Sequence, residues 1–119
     1  MIIHLPYPIP LNKIYRTYKG RMLISAEARD WKKYAELQAM AAGVRKISGA
    51  VAITITLHPK SKKDGAASKI RVDIDSCAKL LLDSLNGIAY MDDAQVEYLV
   101  QKLGTPCENG GLTVELEGM

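Results

Sequence analysis

Residues 50–58, AVAITITLH, constrain the fold more than any other stretch of this 119-residue chain. Their side chains alternate, and most are β-branched. That pattern suits a pleated strand and fits a helix poorly. Val51, Ile53, Ile55 and Leu57 fall on one face. A strand with so apolar a face needs a cover, and a chain of this length must supply it from within one domain, residues 1–119.

The rest of the sequence offers the parts. IIHL at 2–5 reads as an edge strand, after which Pro6, Pro8 and Pro10 force extended chain. KGR around Gly20 reads as a turn. Ser25 is a good N-cap and Glu27 lies in the first turn of a helix expected to reach about Ala42 and stop at Gly43. On it, Ala28, Trp31, Ala35, Leu37 or Gln38, and Ala41 recur near helical spacing. A second helix is expected from about Asp75 to Asn86, ended by Gly87. Strands at 96–103 and 112–116 are joined by the turn-rich TPCENGG and are expected to pair antiparallel. The order predicts an α+β domain, with a mixed or antiparallel sheet of about four strands packed on two helices. With no Phe, the core is aliphatic, and Met22, Met40 and Met91 are expected to pack in it.

Several classes are set aside. Hydrophobic residues make up 48% and charged residues 24%, an ordinary globular balance rather than a disordered one. Cys77 and Cys107 form no CxxC, and His4 and His58 are not near them in sequence, so a zinc site is only weakly supported. Prolines break the apolar N-terminus, and no run is long enough to span a bilayer. A cytoplasmic protein with reduced cysteines, no membrane partner and no nucleotide cofactor is expected.

Charge is unevenly placed. Residues 1–71 hold 14 Lys and Arg against 4 acids; residues 72–119 hold 2 against 9. The basic part fits a polyanion partner, and the acidic part fits a bound cation; two self-solvating halves are the bland alternative. Lys60, Lys62, Lys63, Lys69 and Arg71 share one polar stretch with a single acid, Asp64. Tyr15, Arg16, Tyr18, Lys19 and Arg21 mix rings with cations, a composition suited to unstacked bases and backbone, or to a basic turn with tyrosines on the core. Asn12 follows the proline-rich bend, placed to hold that bend or to meet DNA.

The acids carry the sharper signal. Asp73 and Asp75, at i and i+2 in extended chain, would point to one side, just where the basic stretch ends and a helix begins. Asp93, in the pair Asp92-Asp93, follows 18 residues after Asp75, and the intervening helix and turn could bring it back to them. Three gathered carboxylates need a cation, and oxygen-only ligands suit Mg2+ or Mn2+. Lys79 lies one helical turn after Asp75. Such a site would suit phosphodiester hydrolysis. The plainer reading is an Asp75 cap, a solvated Asp73, a Lys79 paired along the helix and two turn acids.

DIDSCAKLLLDSLNGIAYMDDAQV resembles the signature of the RusA Holliday junction resolvases, DxDNxxKxxxDxL…xxDDxQV, at Asp73, Asp75, Lys79, Asp83, Leu85, Asp92, Asp93, Gln95 and Val96. Asn12, Tyr15, Arg16 and the helix start Ser25-Ala26-Glu27 agree as well. The resemblance implies a homodimeric, Mg2+-dependent endonuclease that resolves four-way DNA junctions by paired nicks in recombination and repair. It implies metal binding by Asp73, Asp75 and Asp93, a mainly structural Asp92, and Lys79 near the scissile phosphate. Ser76 stands where the family has Asn, and Val72 where a basic residue often precedes the first acid. These departures keep a second reading alive: a branched-DNA-binding protein of the same fold with weak or absent catalysis.

Overall fold

The computed structural model describes residues 1–119. Along the chain run β1 (Ile2–Leu5), β2 (Tyr15–Tyr18), β3 (Arg21–Ile24), α1 (Ala26–Ala41), β4 (Val51–His58), α2 (Ala78–Ser84), β5 (Val96–Leu103) and β6 (Gly111–Gly118). Three 3-10 turns, at Leu11–Lys13, Ile74–Cys77 and Asp93–Gln95, sit between them. The main sheet has the order β1-β6-β4-β5, and β2 and β3 form a separate two-stranded sheet. This is one small domain with two helices and a mixed sheet, as the element order predicts.

The alternating stretch becomes the central strand. Val51, Ile53, Ile55 and Leu57 are each at most 1% exposed and meet Ala28, Trp31, Ala35 and Ala39 of α1 and Leu80 and Leu81 of α2 in one core. Small residues on α1 let the helix lie close to the sheet. Ser25 caps α1 as expected, its hydroxyl accepting from the Ala28 N–H at 3.0 Å. Leu37 and Ala41 turn outward instead, and Ala39 takes the buried position. Trp31 is buried, its indole donating to the Tyr7 carbonyl at 3.0 Å.

Two expectations are corrected. The antiparallel pair expected from strands 96–103 and 112–116 does not form: β5 pairs parallel with β4, and β6 pairs antiparallel with β4 on its other side. The TPCENGG link therefore bridges over the end of β4 rather than making a hairpin. β4 has the most apolar face, so flanking it on both sides satisfies its backbone where water is excluded. The turn around Gly20 forms as expected and closes a hairpin, β2–β3, with Lys19 (φ 49) and Gly20 (φ 72) both left-handed, the geometry that matches strand twist. Met22, Met40 and Met91 are exposed, not packed. A further feature of the fold is the absence of any helix long and apolar enough to cross a membrane.

The bridging link depends on close contact. The Gly104 N–H donates to the Leu57 carbonyl at 2.8 Å, and His58 Nδ1 meets the Thr105 carbonyl at 2.8 Å. A Cβ at Gly104 would stand 2.5 Å from Thr56 Cγ2. Gly104→Ala should therefore destabilise the domain by about 1–3 kcal/mol through overpacking. Urea unfolding would read this as a lower midpoint at unchanged slope, and an unchanged midpoint would remove the close approach from the account.

Candidate active site

The segment after β4 is ordered by its own hydrogen bonds. Ser61 bridges Ala67, the Lys62 N–H donates to Ala66 O at 2.7 Å, and the Gly65 N–H donates to Lys62 O at 2.9 Å. Asp64 accepts from the Ala66 N–H at 3.0 Å. The expected basic loop is thus a miniature hairpin with Lys62 and Lys63 exposed at its tip; Lys60, Lys69 and Arg71 are also exposed. Its far end is pinned by a residue the sequence reading gave no role: the Val72 N–H donates to the Tyr7 hydroxyl at 2.9 Å. Only its position in the proline-rich bend, with a ring that can carry a polar tip, could have marked Tyr7.

Asp73 follows in extended conformation (ψ 145°) and opens the 3-10 turn, but its side chain makes no capping bond. Instead the Ser76 hydroxyl donates to the Asp73 carbonyl at 2.7 Å. Asp75 lies inside the turn, so the i and i+2 geometry of an extended chain does not apply to the pair. The change from extended to helical backbone at Asp73 is what delivers both to one cleft. That cleft, of about 400 Å³, is lined by Asn12, Arg71, Asp73, Asp75 and Ser76 among others. The plain reading of Asp75 as a helix cap does not hold: α2 starts three residues later, with no side-chain cap. Behind the acids, Cys77 is buried, which raises its thiol pKa to about 11 and keeps it protonated; the nearby Asp75 adds to this.

The other pair of acids lies at the opposite end of α2. Asp92 accepts from the Ala94 N–H at 2.8 Å, while Gln95 Oε1 accepts from the Met91 and Asp92 N–H groups at 2.9 and 3.2 Å. This is a capping box, and it commits Asp92 to holding the turn. The amide of Gln95 also donates to the Ile47 and Gly49 carbonyls at 2.9 and 2.8 Å, clamping the turn beside the start of β4. Asp93 is half-buried and hydrogen-bonded with Asp92 and Asp83. The shared bond with Asp92 leads the causes that hold the Asp93 pKa above the usual carboxylate range; burial and Asp83 add to it. Asp92 is held lower, first by the Ala94 N–H.

The predicted residues therefore fall into separate groups. Asp73 and Asp75 meet Asn12 and Arg71 in the cleft. Lys79 is exposed on α2, one turn from Asp75 on one side and Asp83 on the other. Asp93 stands with Asp83 and Asp92, and no group of three His, Cys, Asp or Glu side chains is close enough to hold a metal ion. Tyr15 and Arg16 are exposed on β2, which starts three residues after Asn12, with the Arg16 guanidinium 5.9 Å from the Tyr18 ring.

The raised Asp93 pKa has a measurable sign. A carboxyl whose folded pKa lies above its unfolded value stabilises the fold below the carboxylate range, and that stability is lost as pH rises through the folded pKa. In metal-free buffer, Asp93→Asn should thus raise the melting temperature near pH 7. The gain should vanish toward about pH 3–4, where the parent is protonated too. A gap independent of pH would remove the carboxyl's charge as its cause.

A comparison with curated proteins finds no match. The family model of endodeoxyribonuclease RusA matches residues 6–117, nearly all of the chain from the proline-rich bend through β6. That span includes the cleft, the basic hairpin, α2 and the capped Asp92-Asp93 turn, and the chain belongs to the RusA endodeoxyribonuclease family.

Proposed function

We propose that this chain is a Mg2+-dependent endonuclease that resolves four-way DNA junctions by paired symmetric nicks, acting as a homodimer in the cytoplasm. The observation that carries this reading is the cleft: two exposed carboxylates, neither used as a cap, beside an asparagine and an arginine, in a chain of an endodeoxyribonuclease family.

The donor set fits the ion. Mg2+ uses one or two protein carboxylates and keeps its other positions for water and phosphate oxygens; Mn2+ accepts the same ligands. When bound, the metal supplies positive charge and a water of lowered pKa. Asp73 and Asp75 would hold it. Arg71 and Asn12 would orient the phosphate from the facing wall, and Lys79 would offset charge growing on it. Lys60, Lys62, Lys63, Lys69 and Arg71 would grip the flanking backbone, giving a steep salt dependence. Tyr15 and Arg16 would meet DNA from the β2–β3 hairpin. Asp93 is the third ligand in this reading, a carboxyl not committed to a backbone cap as Asp92 is. Asp93 and the pair Asp73 and Asp75 lie at opposite ends of α2, and a second copy of the chain can supply the missing approach. A two-fold dimer also presents equal sites to equal strands.

The second reading, a branched-DNA-binding protein with little catalysis, draws on the unassembled acids and on Ser76. A synthetic four-way junction with Mg2+ separates the two. Asp73→Asn and Asp75→Asn should each cut the nicking rate at least about a hundredfold. Both should keep or strengthen junction binding, because a negative charge beside phosphate is removed. Tight binding without nicking by the parent would favour the second reading, and neither binding nor nicking would sink both.

Shared sites have their own signature. In a co-expressed pair of Asp75→Asn and Asp93→Asn chains, the mixed dimer should regain one working site and nick a single strand. Sites complete within each chain would leave the mixed dimer inert.

A further inference from the structure

A second cleft, of about 270 Å³, adjoins the carboxylate cleft and shares Pro10, Arg71 and Val72 with it. Its other walls are Tyr7, Lys60 and Ile70. Ile70 is 89% exposed, more than any other large apolar side chain in the molecule. A lone exposed apolar residue is ordinary. This one is set apart by how firmly its backbone is held. The Ser68 hydroxyl accepts from the Ile70 N–H at 3.2 Å and lies 3.3 Å from the Ile70 carbonyl, to which it can donate. On its far side, the Arg71 guanidinium donates to the Val72 carbonyl at 3.0 Å, and the Val72 N–H is bound by Tyr7.

The Tyr7 ring is fixed as well. Gly110 backs it so closely that a Cβ there would stand 2.6 Å from Tyr7 Cδ2, and the Lys60 ammonium lies 5.0 Å over the ring. The cleft thus combines a wedged aromatic ring, an arginine folded against its own backbone and a branched apolar side chain. Rings and guanidinium groups are what unstacked bases rest on. Its volume is below the roughly 300–1,000 Å³ of drug-sized sites, enough for a small planar group. The cations Lys60 and Arg71 at its edge match the phosphates on either side of such a group.

We propose that this second cleft takes the base of the nucleotide next to the phosphate held at Asp73 and Asp75, and that Ile70 and the Tyr7 ring are the residues that select it. This rests on the nuclease reading above. Continuity with the carboxylate cleft identifies the occupant: a strand whose phosphate sits in the first has its adjoining nucleoside within reach of the second. Ile70 and the Tyr7 ring supply the apolar contact, and the Tyr7 hydroxyl, through Val72, sets the distance from base to acids.

The test uses the full-length protein and four-way junctions carrying each of the four bases beside the mapped cut, or 2-aminopurine there. Binding is read in Ca2+ and cutting in Mg2+. The parent should change 2-aminopurine fluorescence at the adjoining position. Ile70→Ser, at an exposed position that leaves folding alone, should lose that change. It should also compress the spread of rates among the four bases about tenfold, with overall junction affinity retained. A parent that binds the junction while Ile70→Ser keeps the same base ranking and fluorescence overturns the base subsite and leaves the nuclease reading intact. A parent that does not bind the junction overturns both.

Discussion

The apolar row on β4 organises the molecule. Val51, Ile53, Ile55 and Leu57 are sealed under both helices, so β4 cannot be an edge and must be hydrogen-bonded on both sides. β6 takes one side antiparallel and β5 takes the other in parallel. A parallel partner requires a crossover, and the crossover is the segment that carries the basic hairpin, Asp73, Asp75, α2 and the Asp92-Asp93 turn. The chemistry is thus strung along a single connection, its beginning held near the end of β4 and its end held near the start.

That path explains why the acids divide. Gln95 clamps the second pair beside Ile47 and Gly49, which precede β4, while Tyr7, Lys60 and Gly110 gather around Val72 beyond its other end. Asp92 and Asp93 differ by one position and have opposite tasks. The first gives its oxygens to a backbone N–H, and its pKa falls. The second has only other acids to turn to, and its pKa rises.

Much of this was legible in the residues. Strict alternation at 50–58, Ser25 before a helix and Gly43 after it mark features that depend on near neighbours in sequence, and those features stand where expected. The pairing of β5 and β6 was not legible, because a short turn-rich link looks the same whether it closes a hairpin or vaults a strand. The contact of Gly104 with Thr56, which makes the vault possible, joins residues 48 positions apart. Asp73, Asp75, Asn12 and Arg71 could be chosen by residue type and resemblance, and they do share a cleft. Tyr7 could not, since its importance lies in one hydroxyl reaching an N–H 65 residues away. The exposed methionines show the converse: apolar character alone does not say which side of a short element faces inward.

The pairing of β1 with β6 joins the two extremes of the sequence, Ile2 opposite Glu115 and Leu5 opposite Leu112. The strand that leads to Tyr7 has no strand neighbour until β6 exists. During synthesis the acidic segment therefore emerges well before the strand leading to this anchor can be paired. Contacts of such sequence span cost more chain entropy to close than local ones. The shape of the cleft is thus tied to completion of the sheet rather than to the appearance of the aspartates.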